Sequence, residues 1–249
     1  MKLTVRVWRQ TNPTGGGRFE ERRVDDLEPS MSVLELLDKM NHDIVVAGGE
    51  PVVFESDCRE GICGACGIVV NGRPHGPIKR TPACHQRLSS FTDGSTVTIE
   101  PFRSGAYPVI SDLMVERAGL TEIMQAGGHV EVAAGTAPEA DQDRITYREA
   151  EEALDFAACI GCGACVAACP NGSANLFVGA KLAHLAKLPI PASERGARAA
   201  AMVEEADRLF GPCSLHGECA EVCPAGIPLV AVSWVNRERL RRGVLGRDS

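Results

Sequence analysis

The stretch Cys159-Ile160-Gly161-Cys162-Gly163-Ala164-Cys165, followed by Cys169-Pro170, decides the fold of the second half of this chain. Its spacing, Cys-x2-Cys-x2-Cys-x3-Cys-Pro, is that of the bacterial iron–sulfur run, in which the fourth cysteine ligates a second cluster. The proline removes a backbone donor and ends the helix beside the fourth thiolate. Because chance does not assemble these residues at these spacings, the stretch predicts a [4Fe–4S] centre with a neighbouring cluster.

A related cysteine group lies nearer the C-terminus and supplies that neighbour. Compared with the first group it lacks one cysteine, and the missing ligand falls at His216. A cubane held by three thiolates loses one iron and rests as [3Fe–4S]; ligation of a fourth iron by His216 is the alternative, since imidazole binds iron. If the last cysteine of each group ligates the cluster of the other group, two ligand sets are predicted. These are Cys159, Cys162, Cys165 and Cys223 for [4Fe–4S], and Cys169, Cys213 and Cys219 for [3Fe–4S].

The N-terminal half carries a cysteine group of a different type. Its opening, Cys-x4-Cys-x2-Cys, is the plant-type [2Fe–2S] pattern. Gly61, Gly64 and Gly67 let the loop wrap closely and turn backbone N–H groups towards sulfur. A structural zinc site is the alternative, but zinc sites usually pair two Cys-x2-Cys knuckles and this group has one. The predicted [2Fe–2S] ligands are Cys58, Cys63, Cys66 and Cys84.

Composition narrows the class of protein further. Eleven cysteines cannot all pair as disulfides, and the three ligand sets use all of them. The first seven residues alternate like a strand and lack the apolar run of a secretory signal, so we expect a reducing compartment in which thiols bind metal. A net charge of -7 argues against nucleic acid as a partner. No apolar run reaches the roughly 18–20 residues that span a bilayer.

Hydrophobic periodicity predicts a small α+β unit at the N-terminus. Alternating residues indicate strands at 3–9 and 18–25, and shorter strands at 51–55, 68–70 and 97–99. Ser32 and Glu35 form a capping box that begins an amphipathic helix. Asn71-Gly72 is a hairpin turn signal. The predicted domain covers residues 1–105.

The rest of the chain is predicted to be helical. Residues 106–145 are assigned to a connecting segment with a short helix near 111–120. A second capping box, at Thr146 and Glu149, begins an all-α domain over 146–249. Helices are expected at 176–188, 193–210 and 229–240. Four histidines are expected on surfaces or interfaces: His75, His85, His129 and His184.

The cysteine motifs, in this order, resemble those of the iron–sulfur subunit of succinate:quinone oxidoreductases, which are the succinate dehydrogenases and fumarate reductases. The matching residues run from Asp57 to Gly67 and from Cys159 to Cys165. The resemblance implies an N-terminal β-grasp domain of plant-ferredoxin type and a C-terminal α-helical ferredoxin domain. It also implies an FAD-containing flavoprotein partner, a membrane anchor that holds the quinone, and a place on the cytoplasmic face of the cell membrane.

The resemblance implies one function, and the sequence departs from the family pattern at two places. Electrons from succinate would pass from flavin through [2Fe–2S], [4Fe–4S] and [3Fe–4S] to quinone; fumarate reduction, in the opposite direction, is the alternative. The loop between Cys66 and Cys84 contains an inserted hairpin at 71–80. Ala174 and Ser214 stand where many members place a tryptophan and a histidine beside the quinone, so that contact is not carried over. The stretch 171–174 is more like forms with a cytochrome b type anchor.

Two rival classes of protein fit the residues less well. A free-standing ferredoxin-like carrier does not need two cluster domains and additional helices. Other flavin-linked reductase subunits, of heterodisulfide or glycolate type, tend to lack the plant-type group. The sequence therefore favours a subunit of a respiratory complex, without a general base or nucleophile of its own.

Overall fold

The structure is a computed structural model that describes residues 1–129, 131, 145–188 and 190–245, with side chains up to Arg241. Its N-terminal part contains five strands and one helix that is longer than a single turn. They are β1 (Leu3–Arg9), β2 (Arg18–Val24), α1 (Val33–Val46), β3 (Ile68–Val70), β4 (Arg73–Pro74) and β5 (Thr96–Pro101).

The five strands form one mixed sheet in the order β2-β1-β5-β3-β4. Strand β1 runs parallel to β5, and the other neighbouring pairs are antiparallel. The predicted alternation holds in β1, where Leu3, Val5 and Val7 are buried. Helix α1 buries Leu36 and Leu37 in the same core. One face of the sheet is thus covered by α1, which leaves the loops around β3 free to build a site.

The capping box predicted at the start of α1 is confirmed. The backbone N–H of Glu35 donates to Ser32 Oγ at 3.2 Å, and the N–H of Ser32 donates to a Glu35 carboxylate oxygen at 2.6 Å. These bonds satisfy backbone donors that the first turn of a helix leaves without a partner. The box predicted at Thr146 and Glu149 is confirmed in the same way.

The short strand predicted at 51–55 is wrong. The Asn41 side chain pairs with both backbone groups of Val52, at 2.7 and 2.8 Å. The N–H of Val53 donates to the Asp112 carboxylate at 2.8 Å. Because side chains occupy these backbone groups, the segment does not join the sheet.

The helix predicted near 111–120 is also wrong in its position. The chain forms a hairpin there, with β6 (Val109–Ser111) and β7 (Met114–Val115), and the helix α2 follows at Ala118–Ile123. The turn places Asp112 at φ 45° and buries its carboxylate, which accepts the N–H of Gln10 at 2.9 Å. A contact between residues 102 positions apart therefore determines where the turn falls.

Six further α-helices lie in the rest of the described chain. They are α3 (Tyr147–Ala157), α4 (Ala164–Ala168), α5 (Asn175–Leu185), α6 (Ala192–Leu209), α7 (Glu218–Glu221) and α8 (Val232–Leu245). Helix α5 is buried along most of its length and packs against α3, α6 and α8. At Gly179 a Cβ would lie 2.2 Å from the carbonyl oxygen of Ala231, so only glycine permits this approach.

The helices of the described ranges were compared with the length and apolarity needed to cross a bilayer. None of them meets both requirements.

Candidate iron–sulfur sites

Three cavities of the described structure are each lined by one cysteine group. All eleven cysteines are free thiols. The first cavity is lined by Cys58, Cys63, Cys66 and Cys84, the second by Cys159, Cys162, Cys165 and Cys223, and the third by Cys169, Cys213 and Cys219. The fold thus brings Cys223 to the second cavity and Cys169 to the third, away from their neighbours in sequence.

Successive cavities share one apolar lining residue. Ile160 lines both the first and the second cavity, and Leu176 lines both the second and the third. The thiols of Cys165 and Cys219, which belong to the second and third cavities, are also close enough to interact electrostatically. The three cavities therefore lie in a file.

Backbone N–H groups of the first loop point at sulfur, as its glycines predicted. Cys58 Sγ accepts hydrogen bonds from the N–H groups of Glu60, Ile62 and Cys63 at 3.3 to 3.4 Å. These bonds lower the pKa of Cys58 to about 7 because they stabilise the thiolate. The loop achieves this geometry with positive φ at Gly61 and at Gly64.

Two other thiols of the first cavity, those of Cys66 and Cys84, lie deeper. Burial raises the pKa of Cys66 to about 12, and the neighbouring Cys84 thiol opposes its ionisation further. Cys84 sits in the short helical turn Ala83–His85. The segment before it is held by Gln86, whose side-chain amide pairs with both backbone groups of Ile78 at 2.8 and 3.0 Å.

His75, expected on a surface, is instead 1% exposed, and that expectation is wrong. Its Nδ1 accepts the backbone N–H of Ala83 at 3.2 Å, and its ring packs edge-on to Phe102. Burial, followed by the nearby Arg117 charge, lowers the pKa of His75 to about 4. The segment that follows β4 thus places a neutral imidazole behind the loop that carries Cys84.

Burial has a strong effect on the thiols of the second cavity. Burial raises the pKa of Cys162 to about 12 and raises that of Cys165 as well. Cys223 accepts the N–H of Ile227 at 3.4 Å, yet burial still raises its pKa. Its thiol interacts electrostatically with that of Cys159, 64 residues earlier in the chain (223 − 159).

The third cavity is lined by three cysteines and several polar residues. Burial raises the pKa of Cys219 to about 11, with further contributions from the nearby Cys169 and Cys213 thiols. His216, at the position of the missing cysteine, also lines this cavity but is exposed to solvent. Ser173 and Asn175 line it from the start of α5.

The donor sets fit iron–sulfur clusters. Ligating thiols must be deprotonated, and in the second cavity the protein alone opposes this by burial. The positive charge of iron reverses that penalty, so buried thiols are suited to a bound metal centre. Within the described ranges no three His, Cys, Asp or Glu side chains converge as they would on a single ion. Thiols arranged around a cavity leave room for the several iron and sulfide atoms of a cluster.

One arginine that the sequence reasoning missed joins the first two cysteine loops. Arg117 Nη1 donates to the carbonyl of Gly64 and to that of Cys162, both at 2.9 Å. Its Nη2 pairs with Glu55 at 2.7 Å. A Cβ on Gly64 would lie 2.4 Å from the carbonyl oxygen of Ile160, so the two loops are in direct contact. No motif in the sequence signals this role for Arg117.

Two family models match the chain in the order of the sites. Residues 4–122 match the 2Fe-2S iron-sulfur cluster binding domain, and residues 158–227 match the 4Fe-4S dicluster domain. The fold and its sites therefore define an α+β iron–sulfur protein with a 2Fe-2S domain followed by a 4Fe-4S domain.

Relatives with known roles identify the family. The chain is 31% identical over 180 residues to the fumarate reductase iron-sulfur subunit of Mycobacterium tuberculosis, covering 70% of this chain and 68% of the relative. It is 29% identical to the fumarate reductase iron-sulfur subunit of Wolinella succinogenes (95% and 96% covered). It is 26% identical to the succinate dehydrogenase iron-sulfur subunit of Bacillus subtilis (88% and 86% covered).

A solved structure has the same fold along the chain. The match is to the Mycobacterium smegmatis Sdh1 complex in the apo form, with a TM-score of 0.70, 22% identity and 98% of both chains covered. The chain belongs to the family of succinate dehydrogenase and fumarate reductase iron–sulfur subunits, and it is an electron-transfer subunit of that oxidoreductase family.

Proposed function

We propose that this chain conducts electrons one at a time between the flavin of a partner subunit and a quinone held by a membrane anchor. The observation that carries the proposal is the file of three cysteine-lined cavities, in which Ile160 and Leu176 each line two successive cavities. Clusters bound there supply the redox chemistry, and the protein supplies binding, orientation and tuning. Short separations suit this role because electron tunnelling weakens steeply with distance.

The domain architecture proposed for this function has two parts. The N-terminal part, residues 1–105, is a β-grasp domain of plant-ferredoxin type, which the mixed sheet and the packing of α1 support. The part from 146 to 249 is an α-helical ferredoxin domain, supported by helices α3 to α8. Residues 106–145 connect them, and the described portion contributes Tyr107 and Leu120 to the helical core.

The ligand sets proposed for the three clusters follow the cavities. Four thiols hold [2Fe–2S] in the first cavity and four hold [4Fe–4S] in the second, with Cys223 as the crossing ligand. Three thiols hold [3Fe–4S] in the third, with Cys169 crossing in the opposite direction. Electrostatic interactions between thiols support these sets, since the thiol of Cys162 interacts with those of Cys159 and Cys223. Cys219 in turn interacts with Cys169 and Cys213.

Succinate oxidation is the proposed direction, with fumarate reduction as the second candidate. Relatives of both names match the chain over most of its length. The same file of clusters serves either direction, so the choice depends on cluster potentials and on the quinone. The proposed partners are an FAD-containing flavoprotein and an anchor of cytochrome b type, which would hold this chain at the cytoplasmic face of the membrane.

Low-temperature EPR of the purified complex tests the proposal. Reduction should produce a [2Fe–2S] signal, and oxidation should produce the near-isotropic signal of [3Fe–4S]. Iron and acid-labile sulfide must both be present. Material that contains zinc, or iron without sulfide, would exclude clusters and with them the proposed electron path.

A pair of matched variants tests the crossing of ligands. Cys223→Ser should perturb or abolish the [4Fe–4S] signal while the oxidised [3Fe–4S] signal persists. Cys169→Ser should have the opposite effect. If each substitution instead affects the cluster of its own sequence neighbours, the crossed assignment is wrong.

A further inference from the structure

Some buried side-chain donors of the described residues have no hydrogen-bond partner. Three atoms qualify: His75 Nε2, Tyr107 Oη and Asn175 Nδ2. Among these three side chains, only that of Asn175 lines one of the cysteine cavities, the third. Asn175 is 3% exposed, so water does not reach its amide freely. A buried donor without an acceptor costs about 1–3 kcal/mol, which makes its position beside the thiols notable.

The position of Asn175 leaves its side-chain amide few possible hydrogen-bond acceptors. It is the first residue of α5, and its own backbone N–H donates to Ser173 Oγ at 3.3 Å. The start of a helix directs unpaired N–H groups and a partial positive charge towards whatever lies before it. In this chain the thiols of Cys169, Cys213 and Cys219 share the third cavity with that helix start.

We propose that the side-chain amide of Asn175 donates a hydrogen bond to a sulfur atom of the third cluster and raises its reduction potential. The inference rests on the proposed function, because it requires a cluster in the third cavity. Sulfide and thiolate sulfur are anionic acceptors, and they gain negative charge when the cluster is reduced. A donor fixed in a buried site therefore stabilises the reduced state more than the oxidised one. Asn175 would thus stabilise the negative charge that the third cluster gains on reduction.

The test is a redox titration of the holo-complex followed by EPR. Asn175→Leu removes the donor, keeps the side chain similar in size and adds no charge. The equilibrium constant for reducing the third cluster should fall about tenfold, a shift of about 59 mV for a one-electron couple. The potentials of the first two clusters should not change. Asn236→Leu, the same exchange at an exposed position of α8, should leave all three potentials unchanged. An assembled third cluster whose potential is the same in Asn175→Leu would overturn the inference.

A second measurement does not depend on the variant folding. In unsubstituted protein with 15N in its asparagine side chains, pulsed EPR of the oxidised third cluster should detect a coupling to an amide nitrogen. The coupling must persist in Asn171→Leu, because the Asn171 amide already donates to Pro212 and Ser214. Absence of this coupling from the unsubstituted protein, or its loss in Asn171→Leu, would overturn the inference. A complex without iron and sulfide would instead refute the proposed function, so the two failures are distinguishable.

Discussion

The carbonyl oxygens of Gly64 and Cys162 accept hydrogen bonds of 2.9 Å from one nitrogen atom, Nη1 of Arg117. Gly64 belongs to the loop of the first cavity and Cys162 to that of the second. Because a planar guanidinium presents donors in a rigid fork, this one side chain holds both loops and also pairs with Glu55. The contact lies between the first and second cavities, on the electron path proposed above.

Removing the Arg117 side chain should loosen that contact. Arg117→Ala leaves three carbonyls and the Glu55 carboxylate without their donor, at a cost of about 2–3 kcal/mol. The midpoint of denaturant-induced bleaching of the clusters should fall accordingly. Arg117→Lys should recover only part of the loss, because one ammonium cannot reproduce the fork. Arg148→Ala is the control, since Arg148 is 88% exposed and its bond to Glu152 is worth little. Equal midpoints for Arg117→Ala and Arg148→Ala would contradict this role.

The close approach at Gly64 predicts a large effect from a single methyl group. Gly64 and Gly72 have nearly the same φ, 74° and 76°, so alanine costs about 1–2 kcal/mol of backbone strain at either position. At Gly72 a Cβ meets nothing within 4 Å, whereas at Gly64 it would lie 2.4 Å from the Ile160 carbonyl oxygen. Gly64→Ala should therefore lower the yield of assembled clusters well below that of Gly72→Ala, measured as iron and sulfide per chain. Similar yields would show that the loops separate at no cost.

The thiols of the first cavity should differ in reactivity before a cluster is bound. The pKa of Cys58 is lowered to about 7, so its thiolate fraction rises as the pH increases through 7. The pKa of Cys66 is raised to about 12, so that thiol stays protonated over the same range. In cluster-free protein under reducing conditions, iodoacetamide should alkylate Cys58 first, with a rate that increases from about pH 6 to 8. Peptide mass spectrometry provides the measurement, and faster labelling of Cys66 would contradict it.

Substitutions at His216 test whether the cluster proposed for the third cavity holds three or four irons. His216→Cys places a thiolate at the position where the cysteine pattern is interrupted, on the lining of the third cavity. We expect conversion towards [4Fe–4S] and loss of the oxidised three-iron EPR signal. His216→Ala is the matched control and should leave that signal unchanged. If His216→Ala instead creates or strengthens the three-iron signal, imidazole ligates a fourth iron in the native protein.

The sequence predicted the parts of this protein that depend on neighbouring residues. The strand at 3–9, the strand predicted at 18–25 and observed at 18–24, and the capping boxes at Ser32 and Thr146 follow from local periodicity and local hydrogen bonding. The family could also be predicted, because ligand spacing is a local property of a loop. Where the sequence reasoning failed, contacts outside the segment decided the structure. At 51–55 the side chains of Asn41 and Asp112 accept backbone N–H groups, and at 111–120 the Asp112 carboxylate accepts the N–H of Gln10.

The sequence alone determined which thiols belong to which kind of loop, since that depends on spacing along the chain. Only the tertiary structure decided how the loops meet: Arg117 joining Gly64 to Cys162, His75 buried behind Cys84, and Asn175 facing the third cavity. These contacts join residues that are far apart in sequence or depend on which side chains are buried. Packing brings them together, and no pattern of neighbouring residues encodes it.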